Sequence, residues 1–245
     1  MTGPSTADGL PAAVLWDMDG TLTDSEKLWD IPLSEYSLKL GTPLGDDTRT
    51  AMIGSNIPTS MALLFGQVGR VPTPDDIDEA MGWINERMVE LFRTRLVMRP
   101  GAREALRLVR DTGVPTALVT STERHLTEVA LDTIGREFFD VTVCGDEVDG
   151  RNKPLPEPYL KAARLLGVEP TRCLAIEDSP TGTAAAEAAG CAVLVVPCEV
   201  AVPEGPARVL RSSLVGLDEA LLRELVAVSA SAGAGGRIGA REDLR

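Results

Sequence analysis

Two aspartates, Asp17 and Asp19, stand where the apolar run Val14-Leu15-Trp16 gives way to Gly20-Thr21. In an extended strand alternate side chains share a face, so both carboxylates converge at its carboxyl end, where Gly20 lets the backbone turn sharply. A carboxylate so placed can attack a phosphate monoester. The product is an aspartyl phosphate, an acyl phosphate that water cleaves, so that one hard hydrolysis becomes two easier steps. Asp17 is the candidate nucleophile. Asp19 is the candidate acid/base, first protonating the leaving alkoxide and later taking a proton from water.

An anionic nucleophile meets an anionic phosphate only where cations gather. Glu177 and Asp178 follow the apolar run 173–176. With Asp17 they offer the oxygen ligands of a hard divalent ion, for which Mg2+ is the natural choice. Lys153, set before Pro154-Leu155-Pro156, brings a compact positive charge from another loop. Thr120, at the end of the run 117–119, offers a hydroxyl and backbone amides. Gly20, Thr21, Thr120, Ser121 and Lys153 are the expected phosphate contacts. Singly, each has an ordinary reading as a solvated turn, a helix cap or a surface lysine. Their order along the chain, each after an apolar strand, favours the site.

The elements that must position these residues alternate short apolar runs with helical segments, the pattern of a parallel sheet covered by helices. Strands are expected at 13–16, 116–119, 141–144, 173–176 and 193–196. Helices at 123–134, 157–166 and 180–189 lie between them, with Ser179 capping the last and Gly190 ending it. The stretch 24–97 breaks the alternation and reads as successive helices. Within it Ile77, Met81, Ile84, Met88 and Leu91 form one apolar stripe, read as packing inside a helical insert. The expected organisation is a Rossmann-like α/β core at 11–23 and 98–228, a helical cap at 24–97, and flexible tails at 1–10 and 229–245.

A chain of 245 residues, 44% hydrophobic and 25% charged, can bury a full core, and it contains no long apolar run suited to a bilayer. A net charge of −13 disfavours nucleic acid. Cys144, Cys173, Cys191 and Cys198 form no paired motif and read as reduced packing residues. A cytoplasmic protein, monomeric or weakly dimeric, is the expectation. His125 is the only histidine, so a histidine-based triad or metal site would rest on it alone. Trp29 and Trp83 read as packing anchors, with Trp29 also near enough to the first motif to touch substrate.

Taken in order, Asp17-Met18-Asp19-Gly20-Thr21, Thr120, Lys153 and Glu177-Asp178 resemble the four motifs of the haloacid dehalogenase superfamily of phosphohydrolases. The resemblance implies that the first aspartate is the nucleophile and the second the acid/base. It implies Mg2+ held by Asp17, the backbone carbonyl of Asp19, and Asp178 with Glu177 in support. It also implies that the helical insert is the cap that closes over the core, as in the beta-phosphoglucomutase-like branch. The leading expectation is a phosphatase of a small phosphorylated metabolite, sugar phosphates foremost. One alternative is a phosphomutase of the beta-phosphoglucomutase type. Against it stand Gly54-Ser55-Asn56-Ile57 where an arginine is usual, Trp29 in place of a histidine, and the acid Glu123. A non-catalytic metabolite-binding module on the same scaffold is the second alternative. Glu26, Lys27, Ser55, Asn56 and Arg124 are the candidate substrate contacts.

Overall fold

The computed structural model describes residues 9–226 except 54 and 56, together with the backbone but not the side chain of Ile57. Apart from residues 9 and 10, the expected tails lie outside the described residues, as does the candidate substrate contact Asn56. Six parallel strands form one sheet: β1 (Ala13–Trp16), β2 (Thr116–Val119), β3 (Val141–Val143), β4 (Cys173–Glu177), β5 (Ala192–Val195) and β6 (Arg208–Leu210). Their spatial order is β3-β2-β1-β4-β5-β6. The chain thus builds outward on one side of β1, then crosses to the other. Crevices in such sheets open at the carboxyl ends, where the direction of building switches.

Strand residues are buried on both faces, which is why the runs read as continuous rather than alternating hydrophobicity. Val14, Trp16, Leu118, Leu174, Ile176 and Leu194 face one core. That face is covered by α5 (Ala102–Thr112) and α6 (Arg124–Ile134). Leu15, Val119, Ala175, Val193 and Val195 face the other. There α7 (Glu157–Leu166) and α8 (Pro180–Ala188) bring small residues, among them Ala162, Ala163, Ala185 and Ala186, that let the helices lie close to the sheet. Ser179 caps α8 by accepting from the Gly182 amide at 3.1 Å, and Gly190 follows its end at φ +92°.

Four helices lie between β1 and α5: α1 (Glu26–Lys39), α2 (Asp46–Met52), α3 (Ile57–Gly66) and α4 (Pro74–Arg95). They are the helical cap. Thr73 and Asp76 form a capping box that starts α4 just before Pro74. Ile84, Met88 and Leu91 are buried, with Ile77 and Met81 packed alongside. The two linkers joining cap to core run side by side. The Asp24 amide donates to the Val97 carbonyl at 3.0 Å, and the Arg99 amide to the Leu22 carbonyl at 2.9 Å. The Arg99 side chain reaches the carbonyls of Gly20, Val196 and Pro197, tying the hinge to the ends of two strands.

The strands fall within a residue of their expected ends, except β6, which sequence patterning misses. It is a three-residue edge strand, Arg-Val-Leu, with no fully buried position and hence no apolar signature. All four cysteines are free thiols, three of them buried. Burial pushes Cys144 up to about 11, Cys173 to about 12 and the less buried Cys198 to about 11, so none is a thiolate near neutrality. Iodoacetamide at pH 7.5 should therefore label the folded protein slowly and only at Cys198, whereas unfolding exposes all four. Rapid native labelling of Cys173 or Cys191, read by peptide mass, contradicts this packing.

Candidate active site

Four segments deliver their polar residues to one point at the carboxyl edge of the sheet. Asp17 leaves β1, Thr120 leaves β2, Glu177 ends β4 with Asp178 next, and Lys153 arrives from the loop before α7. Oxygens of Asp17, Glu177 and Asp178 all lie within 4.8 Å of one another. The Lys153 ammonium donates to Asp17 Oδ1 at 2.6 Å, Glu177 Oε1 at 2.7 Å and the Val119 carbonyl at 3.0 Å. All three of its protons are used. Glu177 Oε1 also accepts from the Tyr159 hydroxyl, and Oε2 accepts from the Asp178 amide at 3.2 Å and the Ser179 hydroxyl at 3.4 Å.

The electrostatics of this cluster follow from burial. Burial raises Asp17, and Glu177 adds to it, so that despite Lys153 the carboxyl is pushed up to about 8. Asp178 is raised well above the usual carboxylate range by burial and then by Asp17 and Glu177. Burial alone would lower the Lys153 ammonium, but Asp17 and Glu177 outweigh it and hold it above its ordinary value. Burial, then the charge of Glu177, also raises the Tyr159 phenol, so it stays a donor.

Three carboxylates against one ammonium leave two negative charges, and Asp17 Oδ2 is buried with no hydrogen-bond partner. A hard divalent cation fits both observations, with Asp17 and Asp178 as its side-chain ligands. Glu177, expected in support of the ion, belongs to the same cluster, and its Oε1 also accepts from Lys153 and Tyr159. Gly20 has φ +80°, and a Cβ built there lies 2.1 Å from Asp178 Oδ2, so the residue must be glycine for that carboxylate to sit where it does.

Asp19 is held apart from this cluster by four donors. Oδ1 accepts from Ser25 at 2.7 Å and from the Trp29 indole at 3.3 Å; Oδ2 accepts from Thr122 at 2.7 Å and Thr120 at 3.2 Å. Its orientation is thereby fixed. The Thr120 hydroxyl, expected on phosphate, gives its proton to Asp19 and accepts from the Thr122 amide at 3.0 Å. Trp29 is more than a packing anchor. Its ring edges against Phe92 while its N–H aims Asp19.

The cluster opens into a cavity of about 110 Å3 between core and cap. Its core side includes Asp17, Asp19, Ser121, Thr122, Glu123, Lys153 and Asp178; its cap side includes Glu26, Trp29, Arg49, Ser55 and Asn85. Of the expected substrate contacts, Glu26 and Ser55 line it. Lys27 does not: it is exposed and pairs with Asp24 at 3.6 Å. Arg124 does not either, because its guanidinium turns to Glu147, Glu128 and Thr142 on the far side of α6. Gly20 and Thr21 are likewise outside the cavity wall, with Thr21 wholly buried. Met81 and Ile84 of the apolar stripe reach the cavity as well as the cap core.

Sequence reasoning missed Ser25, Thr122, Tyr159, Arg49, Asn85 and Arg99. Hints existed for two. The run Thr120-Ser121-Thr122 is rich in hydroxyls, and Tyr159 follows Lys153 by less than two turns of chain.

Comparison with known proteins agrees with this geometry. The profile of one family, haloacid dehalogenase-like hydrolase, matches residues 11–190. The chain belongs to that family. Among curated relatives, the phosphorylated carbohydrates phosphatase of Thermotoga maritima is 32% identical over 182 residues, covering 73% of this chain and 81% of its own. Hexitol phosphatase B of Escherichia coli is 31% identical over 188 residues, covering 76% and 83%. Among solved structures, CbbY from Rhodobacter sphaeroides in complex with xylulose-(1,5)bisphosphate superposes with a TM-score of 0.77 at 28% identity, covering 87% of this chain and 99% of that one.

The buried charge makes metal and pH interdependent. The folded state raises Asp17 from 3.8 to about 8, so between those values it holds a proton that the unfolded chain does not. The metal-free protein therefore loses stability from this group as pH rises from about 4 to about 8. Millimolar Mg2+ should raise the melting temperature by roughly 5 °C or more at pH 8, less at pH 5.5, and less again in Asp17→Asn. Equal melting curves with and without Mg2+ at pH 8 contradict the metal site.

Proposed function

We propose that this protein is a Mg2+-dependent phosphatase of small phosphorylated metabolites, sugar phosphates foremost, acting through an aspartyl phosphate on Asp17. The observation that carries the reading is the Lys153 bridge between Asp17 and Glu177 at the floor of the cavity between core and cap, with one Asp17 oxygen left unpartnered. The relatives named for phosphorylated carbohydrates and hexitol phosphate support the substrate class. Four free thiols support a reducing, cytoplasmic setting.

In this scheme Asp17 and Asp178 hold Mg2+ together with the Asp19 carbonyl. When bound, the ion neutralises charge on the phosphoryl oxygens and on Asp17. Lys153 fixes Asp17 Oδ1, so the carboxylate attacks along a defined direction and its negative charge is balanced before phosphate arrives. As the phosphorus–oxygen bond to the alcohol breaks, Asp19 gives the leaving oxygen a proton. Thr120, Thr122, Ser25 and Trp29 hold its carboxyl toward that oxygen. Asp19 then takes a proton from the water that attacks the acyl phosphate, which frees inorganic phosphate and restores Asp17. Ser121, which borders the cavity, is placed for a phosphate oxygen.

Inorganic phosphate release over a panel of sugar phosphates, with and without Mg2+, tests this reading. Release should require the ion, and Asp17→Asn should lower turnover about a thousandfold or more. Full activity in Asp17→Asn would exclude the covalent route.

A further inference from the structure

The part of the cavity remote from Asp17 has a chemical character of its own. Glu123 precedes α6, and Asn85 comes from α4; the two meet across the space between core and cap at 3.1 Å. A carboxylate can only accept, so Asn85 must present its amide nitrogen to Glu123. That leaves Asn85 Oδ1 as the other end of the amide, buried and without a partner. Such an acceptor is costly until a donor reaches it. Glu123 likewise has no lysine or arginine within ion-pair distance among the described residues; the imidazole of His125 lies beside it, Nδ1 at 3.5 Å.

The cationic side chain on the cap wall, Arg49, is already matched by two carboxylates. It donates to the Glu26 carboxylate at 2.9 Å, to the Glu26 carbonyl at 3.0 Å, and to Asp30. Two carboxylates outweigh one guanidinium, so this corner has no positive charge to offer a second anion. Between these polar groups Leu33, Met52, Met61, Met81 and Ile84 form an apolar wall. Methionines adapt their shape to what lies against them.

We propose that the leaving group taken by this cavity is a non-anionic, polyol-sized group with one apolar face. That face rests on the methionines, while a hydroxyl or ammonium group donates to Asn85 Oδ1 and Glu123. Substrates with a second phosphate are rejected, because their distal charge would meet Glu123 and the Glu26–Asp30 pair, where among the described residues the one guanidinium, Arg49, is outweighed by carboxylates. This deepens the phosphatase reading and rests on it.

The test measures kcat/KM for glucosamine 6-phosphate, glucose 6-phosphate, glucose 1,6-bisphosphate and p-nitrophenyl phosphate with Mg2+, using the full-length protein. The two monophosphates should exceed the bisphosphate at least tenfold, with the amino sugar at or above glucose 6-phosphate. Glu123→Gln should narrow the gap between monophosphate and bisphosphate at least threefold, through KM rather than kcat, since it removes the repelling charge but keeps a polar group of the same shape. A bisphosphate turned over as well as glucose 6-phosphate overturns the proposal while leaving the phosphatase reading intact, as does release from p-nitrophenyl phosphate alone. No release from any of the four overturns both.

Discussion

The Lys153 ammonium divides its three protons among Asp17, Glu177 and the last carbonyl of β2, and the other parts of the site are arranged around that division. Without it, Asp17, Glu177 and Asp178 would bring three buried carboxylates together with no cation among them, at a large cost in desolvation and mutual repulsion. With it, the surplus falls to two charges, a number that one divalent ion cancels. Glu177 serves as the counterweight. It shares the Lys153 ammonium with Asp17 and is itself held by Tyr159 and Ser179, so the ammonium stays divided between the two carboxylates.

The sheet makes this convergence possible. Because β1 lies between β2 and β4, the three strands that carry Asp17, Thr120 and Glu177 end side by side, and the loop bearing Lys153 needs only to fold over their tips. The alternation of strand residues divides the apolar side chains between two cores, leaving the strand ends as the place where polar groups can gather without facing either.

This division explains what could be read in advance. Asp17, Asp19, Lys153, Glu177 and Asp178 announce themselves because each stands directly after an apolar run or inside a proline-rich loop, and local pattern suffices to place them. The strands were legible for the same reason, save the short, half-exposed β6. Ser25, Trp29, Thr122 and Tyr159 were not legible, since each acquires its role through a partner that tertiary folding brings near. Arg124 and Lys27 failed for the converse reason: their types suited an anion, but nearer carboxylates claimed them. Glu123, beside Arg124 in sequence, lines the cavity in its place from the extended residue that precedes α6.

The paired linkers, in which Asp24 bonds to Val97 and Arg99 to Leu22, set the mechanics of the cap. Two chain segments laced together by hydrogen bonds behave as a ribbon, which bends readily across its flat face and resists shearing within it. Any swing of the cap is thus confined to something close to one axis. Displacement in such a swing would be least at Ser25 and Trp29, a few residues beyond the ribbon, and larger at Asn85, far along α4. The contacts of Ser25 and Trp29 to Asp19 would then stay nearly in place while the Asn85 side of the cavity parts from Glu123.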